Sequence, residues 1–169
     1  MARLFVAVWP PAEILDRVAA LPRAQVDGLR WTDRRQWHVT LRFLGRVDDV
    51  ASAAAALEGM DPVSRPEAVL GRTVGRFGRR VVHVPVSGLE GVADAVASAT
   101  ADVGLPPEDR PFTGHLTLAR AKGTEADIGA LTGGVITGRW TVDEVCLVES
   151  RLSAAGADYA VVGRFPLGS

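Results

Sequence analysis

The chain has 169 residues, 47% of them hydrophobic and 23% charged, which is typical of a globular domain whose core needs no disulfide or structural metal. Its single cysteine, Cys146, can form no internal disulfide bridge. No apolar run approaches the ~20 residues of a membrane span. The net charge of -1 argues against a general nucleic-acid coat. We therefore expect one domain over residues 1–169, a monomer in the reducing cytoplasm with Cys146 in its core and with no membrane attachment or obligatory protein partner.

The first half of the chain predicts two strands and two helices. In chain order these are a buried strand at 3–9, a helix at 11–21, a strand with one wet face at 37–44, and an alanine-rich helix capped by Asp48 or Asp49. Pro11 is expected at the first helical position and Gly45 directly after the second strand. Residues 1–80 hold 13 of the 19 basic groups and 9 of the 20 acidic ones, so an anion-binding face is expected in this half.

The second half repeats that layout. Its predicted elements are a strand at 81–86, a capping box of Ser87 and Glu90, a helix at 89–103, a strand at 114–120, and a closing hairpin-like pair at 140–150 and 159–165. Each half thus runs strand, helix, and a second strand with the sequence His-x-Thr-Leu, reached 35 residues after Arg3 in one half and 34 after Val81 in the other. The pattern indicates an α+β fold built from two similar lobes.

Each alternating strand carries a histidine and a threonine two positions apart. Side chains two apart on a strand point the same way, so His38 shares a face with Thr40, and His115 with Thr117. Equivalent strands of pseudo-symmetric lobes tend to face each other, which predicts one cleft for both motifs. There one imidazole can deprotonate a water while the other donates a proton to a departing oxygen, and the hydroxyls can hold phosphate oxygens.

Two segments resemble the paired motifs of a known family. Residues 38–45 (HVTLRFLG) and 112–120 (FTGHLTLAR) are similar to those of the two-histidine (2H) phosphoesterases, in particular the RNA 2′,3′-cyclic phosphodiesterases, also called 2′-5′ RNA ligases. The resemblance covers nearly the whole chain, with supporting matches at residues 3–7, 110–112 and 150–152, at Tyr159 and at 165–167.

The resemblance implies a fold and a reaction. The fold is a bilobal, pseudo-symmetric α+β structure in which two antiparallel sheets flank a central cleft and the helices lie outside. The reaction is the opening of an RNA terminal 2′,3′-cyclic phosphate to a 2′-phosphate, with no metal and no cofactor. RNA ends or cyclic nucleotides are the implied substrates.

The resemblance also assigns roles to six residues. His115 corresponds to the base that activates water and His38 to the acid for the leaving O3′, while Thr40 and Thr117 hold the phosphate. Arg120 matches a substrate-binding arginine, and Phe43 matches an aromatic residue that lines the nucleoside site. Strand parity places Phe43 and Arg120 opposite the histidines, so their roles require a twist, bulge or strand end. The family commonly has proline immediately before the second histidine, where this chain has Gly114, and a looser aim of His115 is expected there.

Other candidate residues have simpler interpretations. His83 is expected to be structural, at a strand edge or cleft wall. Trp31 and Trp37 can stack on a base, but half-buried packing is at least as plausible. An arginine-rich segment between glycines is interpreted as a solvated mobile loop, with an RNA-backbone loop as the alternative; its arginines are Arg72, Arg76, Arg79 and Arg80. Residues 75–78 lack the Gly-Lys-Ser/Thr ending of a P-loop, so no bound ATP is expected.

Two other functions stay open at this point. The same residues run in reverse could join a cyclic-phosphate end to a 5′-hydroxyl as a 2′-5′ link, although water competes strongly unless an RNA partner is held in place. The chain could also be a non-catalytic module that binds RNA ends, although arginine would serve pure binding as well as the two histidines do.

Overall fold

The computed structural model describes residues 1–123 and 126–168, which form an α+β fold as predicted. The helices are α1 (Ala12–Ala19), α2 (Val50–Glu58) and α3 (Glu90–Ala99), with single 3₁₀ turns at Arg34–Gln36 and Gly129–Leu131. The strands are β1 (Ala2–Val8), β2 (Leu29–Trp31), β3 (Val39–Val47), β4 (Glu67–Thr73), β5 (Gly75–Phe77), β6 (Val81–Ser87), β7 (His115–Ala121), β8 (Val135–Thr141), β9 (Glu144–Ser153) and β10 (Gly156–Pro166).

The strands are joined in one antiparallel path, in the order β10-β9-β1-β3-β7-β6-β4-β8. At the centre of this path, β3 and β7 are held by a single residue pair, Val39 with Leu116. The strands therefore fall into two groups of four, one containing each His-x-Thr strand, where two separate sheets were predicted. Two short strands lie off the path, β2 beside β7 and β5 beside β6.

Three strand predictions need correction. Strand β3 does not end at Gly45 but continues to Val47, because Gly45 adopts a φ of +74° that lets the strand bend and go on. The arginine-rich segment is not a mobile loop, since Arg72 lies in β4 and Arg76 in β5, which leaves Val74 and the turn before β6 outside the strands. Trp140 belongs to β8, which pairs with β4 rather than with the closing hairpin of β9 and β10.

The helix boundaries also differ in detail from the predictions. Pro11 is the N-cap of α1 rather than its first helical residue. Asp49, one of the two predicted caps, accepts a hydrogen bond from the Ala51 N–H at the start of α2. The capping box of Ser87 and Glu90 is absent, because Ser87 is the last residue of β6 and the Glu90 carboxylate accepts instead from the Gly88 N–H.

The core is built from the apolar faces that the sequence periodicity predicted. Its fully buried members include Leu4 and Val6 of β1, Val39 of β3 and Leu116 of β7. Cys146 is buried in a smaller cluster with Phe5, as predicted for a packing residue, and burial raises the pKa of its thiol to about 11. Over the described residues, no helix has the length and apolar character needed to cross a membrane.

Candidate active site

A pocket of about 170 Å³ lies where the two halves of the sheet meet. It contains both histidines and both threonines of the His-x-Thr motifs, together with Arg120. The complete lining consists of Arg30, Trp31, Thr32, Gln36, His38, Thr40, His115, Thr117, Arg120, Ala157 and Tyr159. Two motifs that are 77 positions apart in the sequence thus line one hollow.

His38 is held on both ring nitrogens and on its faces. Its Nδ1 lies 2.8 Å from the carbonyl oxygen of Gln36, and its Nε2 lies 3.1 Å from the hydroxyl of Thr40. A carbonyl can only accept, so Nδ1 carries the proton of the neutral ring and Nε2 faces the hydroxyl. Three aromatic rings surround the imidazole at centroid distances of 5.0 Å each; they are Phe5, Trp9 and Tyr159.

The surroundings of His38 favour the neutral imidazole. Its pKa is lowered to about 4, first because burial removes water from the charged form and further because the positive charges of Arg120 and, when it is protonated, of His115 repel a charged ring. The hydrogen bond to the Gln36 carbonyl acts in the opposite direction but does not outweigh them. In the free protein at neutral pH, His38 therefore carries no charge.

His115 repeats one of these contacts and lacks others. Its Nδ1 lies 2.9 Å from the carbonyl oxygen of Thr113, again two residues upstream, so the same nitrogen is fixed as the donor. Its ring meets Phe77 edge to face at 4.8 Å and His83 at 5.6 Å. His83, which was expected at a strand edge or cleft wall, lies buried in β6, an interior strand of the sheet.

Gly114, where the family commonly has proline, occupies a place with no room for a side chain. A Cβ there would overlap the carbonyl oxygen of Val86, whose N–H in turn donates to the Gly114 carbonyl at 2.9 Å. The predicted looseness of His115 is therefore offset by two constraints, the close approach to Val86 and the hydrogen bond to Thr113.

A β-bulge in each His-x-Thr strand resolves the parity conflict of the sequence analysis. In β7, Ala119 pairs with Val82 and Thr117 with His83, so Leu118 is an extra residue. In β3, Arg42 pairs with Val6 and Thr40 with Ala7, so Leu41 is extra. One inserted residue reverses the alternation beyond it, which turns the fifth position after each histidine to the histidine's own side.

Arg120 is the residue that the second bulge brings into the pocket. It pairs across β2 and β7 with Arg30, which also lines the pocket. The Thr32 hydroxyl lies 2.8 Å from the Thr117 carbonyl oxygen and 2.9 Å from that of Leu118, so the residue that follows β2 pins the bulge in place. Two guanidinium groups beside two imidazoles make this hollow suited to an anion.

Phe43, at the equivalent position of the first bulge, does not line the same pocket. It is 40% exposed and lines an adjoining groove of about 520 Å³ that shares Thr40 and His115 with the pocket. Trp37 cannot stack on a base, because it is 1% exposed and its indole N–H donates to the Thr32 hydroxyl at 2.9 Å. Trp31 does line the pocket, and its indole N–H donates to the Ala24 carbonyl at 3.0 Å.

Several lining residues have no role in the prediction from the sequence. Arg30 was not predicted because β2 is only three residues long and has no apolar run that would indicate a strand. Gln36 was missed because it contributes its backbone carbonyl, while its side chain donates to the Ala157 carbonyl at 3.0 Å. Tyr159, the only tyrosine of the chain, was noted as part of the resemblance, and that was the one available signal; burial raises its pKa.

Comparison with known proteins places the chain in a family. A family model described as the 2′-5′ RNA ligase superfamily matches residues 10–153. The chain belongs to this superfamily. The resemblance stated from the two His-x-Thr motifs is thereby confirmed.

Curated relatives of this superfamily member carry one functional name. The RNA 2′,3′-cyclic phosphodiesterase of Thermus thermophilus is 29% identical, over 98% of this chain and 90% of that protein. The protein of the same name from Aeropyrum pernix is 30% identical, over 78% of this chain and 82% of its own. These relatives are enzymes of the hydrolase class.

Solved structures share the fold of this superfamily member over its length. E. coli LigT complexed with 3′-AMP matches with a TM-score of 0.78 and 26% identity, covering 99% of each chain. The TT0787 protein of Thermus thermophilus matches with a TM-score of 0.76 and 26% identity, covering 98% of this chain and 97% of its own.

Proposed function

We propose that this protein hydrolyses the 2′,3′-cyclic phosphate at an RNA end, or on a nucleotide, to a 2′-phosphate without a metal ion. The observation that carries the proposal is the convergence of His38, His115 and Arg120 on one pocket of about 170 Å³. The name shared by the curated relatives supports the choice of a cyclic phosphate as substrate. The proposal treats residues 1–169 as one bilobal domain that works as a cytoplasmic monomer, with the pocket at the junction of its lobes.

In the proposed reaction His115 removes a proton from water and His38 supplies one to the leaving oxygen. The water oxygen forms a bond to phosphorus, the bond from phosphorus to O3′ breaks, and O3′ leaves as a hydroxyl. The product is a 2′-phosphomonoester beside a free 3′-hydroxyl. The Nδ1 atoms are engaged by the carbonyls of Gln36 and Thr113, so both imidazoles act through Nε2.

His38 can act as the acid only if it becomes protonated when the substrate binds. Its pKa of about 4 leaves it neutral in the free protein at neutral pH. A phosphate anion between His38 and Arg120 favours the charged imidazole, because it offsets the positive charge of Arg120 that opposes it. His38 thus gains its proton together with the substrate, and the two imidazoles titrate as a coupled pair.

The remaining lining residues fit the binding of the phosphate. Arg120 can donate two parallel hydrogen bonds to non-bridging oxygens, and the hydroxyls of Thr40 and Thr117 can each donate one. Thr40 also lies within hydrogen-bond distance of His38, so it couples the bound phosphate to the orientation of that ring. Preorganised donors around the developing charge lower the barrier without reorganisation.

The test is to incubate the protein with 2′,3′-cyclic mononucleotides and with a short cyclic-ended RNA, in excess chelator, and to identify the product isomer. We expect the 2′-phosphate, formed at the same rate with and without chelator. Loss of turnover in chelator would contradict the metal-free reaction. Joined product from paired RNA ends would instead support 2′-5′ ligation, and undiminished binding without turnover by the parent, His38→Ala and His115→Ala proteins would support a binding module.

A further inference from the structure

A third histidine lies against the proposed active site without lining its pocket. His83 occupies β6, opposite Thr117 of β7 and beside the bulge at Leu118. His83 is 7% exposed. Neither the pocket nor the adjoining groove includes it, so its contacts are with protein groups and not with a substrate.

Three rings form a closed triangle at this place. Phe77 stacks on His83 with a centroid distance of 3.9 Å and an interplanar angle of 22°. Phe77 also meets His115 edge to face at 4.8 Å and 85°, and His83 meets His115 at 5.6 Å and 65°. The two rings therefore bound the imidazole of His115 from two directions, as aromatic pairs of this geometry commonly do.

The burial of His83 has a cost that ordinary packing does not explain. Its Nδ1 is one of two buried side-chain polar atoms without a hydrogen-bond partner in the described residues, the other being Nε1 of Trp140. An apolar ring would fill the same space without that cost. Burial lowers the pKa of His83, as does the charge of His115 when that ring is protonated, while backbone groups of Arg76 and Val84 near the ring act in the opposite direction without outweighing them. His83 is therefore neutral beside His115 at neutral pH.

The two proposed catalytic imidazoles differ in what else holds them. Thr40 lies at Nε2 of His38, whereas His115 has, within the described part of the chain, a hydrogen-bond partner at Nδ1 alone. A ring fixed by a single hydrogen bond can still turn about its side-chain torsions, so its aim depends on the groups packed against its faces and edges. For His115 the aromatic groups that do this are Phe77 and His83.

We propose that His83 is a positioning residue for the hydrolysis of cyclic phosphates, and that it holds the His115 imidazole in its productive orientation by packing against it together with Phe77. This inference rests on the proposed function of His115. His83 touches no reacting atom, so its effect falls on the rate of the chemical step and not on the binding of the phosphate.

The main test compares His83→Ala and His83→Phe with the parent protein, using a 2′,3′-cyclic mononucleotide. We expect His83→Ala to lower kcat ~10- to 100-fold, as a misaimed catalytic group does, and to leave KM and the inhibition by inorganic phosphate nearly unchanged. His83→Phe restores a ring of similar shape and is expected to recover most of kcat. The ¹⁵N chemical shifts of the His115 ring should report a single Nδ1-protonated tautomer in the parent and in His83→Phe, and a mixture in His83→Ala.

A matched control is Trp140→Phe, which removes the other unpartnered buried ring nitrogen from strand β8, away from the site. It should change the Tm but not kcat. A double-mutant cycle with Phe77→Leu adds an independent measure, because two residues that act through one imidazole have non-additive effects on kcat.

Three results would overturn the inference. The first is a folded His83→Ala protein, as judged by its Tm, with the kcat of the parent. The second is a folded His83→Phe protein that is as slow as His83→Ala, since the packed ring would then not be what matters. The third is strict additivity with Phe77→Leu. Failure of the proposed function would be distinct from all three, because it would appear as an inactive parent or an active His115→Ala protein.

Discussion

His38 and His115 lie in the same local sequence, His-x-Thr-Leu, and each imidazole donates a hydrogen bond to a carbonyl two residues upstream. Their surroundings nevertheless differ. His38 is enclosed by Phe5, Trp9 and Tyr159 and has a hydroxyl at its second nitrogen. His115 opens onto the larger groove and is bounded by Phe77 and His83. A repeated motif thus fixes the direction of two side chains, while the residues around His38 hold its pKa well below the ordinary value.

This difference matters because a proton-transfer pair needs two unequal partners. Two identical imidazoles would compete for one proton, and neither would be committed to giving or taking it. Here burial and the neighbouring Arg120 depress the pKa of His38 to about 4. The aromatic rings that enclose His38 are Phe5, Trp9 and Tyr159, which lie outside the two motifs, whereas Arg120 is the last residue of the second motif.

The strongest test of the comparison is to remove each imidazole in turn. We expect His38→Ala and His115→Ala each to lower kcat for a 2′,3′-cyclic mononucleotide ~10²- to 10⁴-fold, the usual contribution of general acid-base catalysis. The inhibition by inorganic phosphate should weaken far less, since Arg120 and the threonines remain. If either variant kept the parent's kcat, the two-imidazole reaction would be wrong.

The equivalent bulges offer the next comparison, because Arg120 and Phe43 hold corresponding positions with different chemistry. Arg120→Ala should lower kcat/KM ~10- to 100-fold and weaken inhibition by inorganic phosphate, because it removes a charge-assisted pair. Phe43→Ala should leave phosphate inhibition unchanged and weaken only nucleotide binding. Equal effects of both variants on the inhibition by inorganic phosphate would show that Arg120 does not bind the phosphate in preference to Phe43.

The depressed pKa of His38 can be tested without any substitution. The ring signals of His38 should titrate near pH 4 in the free protein, and inorganic phosphate should move that titration to higher pH because an anion favours the charged ring. The lower limb of the profile of kcat/KM against pH reports the free enzyme, so it should also lie near pH 4. A kinetic profile alone does not identify the donor, because the limbs are identical whichever imidazole gives the proton, so the NMR titration is essential.

The same depressed pKa has a consequence for stability. Between about pH 4 and the ordinary value of 6.5, the unfolded chain binds a proton at His38 that the folded protein does not. Because of His38, the free energy of unfolding should therefore fall as the pH is lowered through this window. Urea unfolding of the parent and of His38→Phe at pH 7 and pH 4.5 measures the difference, and an equal pH dependence in both would contradict the pKa assignment.

Much of the site could be predicted from the sequence because its key residues lie on strongly alternating strands. The pattern at 37–44 and 114–120 placed each histidine with its threonine. The pairing of distant strands could not be derived this way, and it is what brings Arg30 of the short strand β2 beside Arg120. The bulges were recognised only as a requirement, since Leu41 and Leu118 look like ordinary members of the alternation until their partners in β1 and β6 are known.

The arginine-rich segment shows the opposite limit. Its glycines and arginines resemble those of a solvated loop, but main-chain pairing with β8 and β6 makes strands of Arg72 and Arg76. Strand propensity depends on which neighbours are available, so a polar segment gives little signal by itself. Because β5 was missed, Phe77 and its contact with His115 were missed with it.

The smallest expected difference separates the two threonines. Thr40→Val removes a hydroxyl that contacts both His38 and, in our proposal, the phosphate, whereas Thr117→Val removes one that, among the described residues, has no hydrogen bond to a histidine. We expect a loss of ~3- to 10-fold in kcat for Thr40→Val, as for a single neutral hydrogen bond, and a smaller loss for Thr117→Val, with Thr40→Ser recovering the difference. Valine preserves the shape of threonine, so the loss of kcat measures the hydroxyl alone. A larger loss for Thr117→Val than for Thr40→Val would mean that the Thr117 hydroxyl contributes more to catalysis, and that the hydrogen bond between Thr40 and His38 does not make the first motif the more important one.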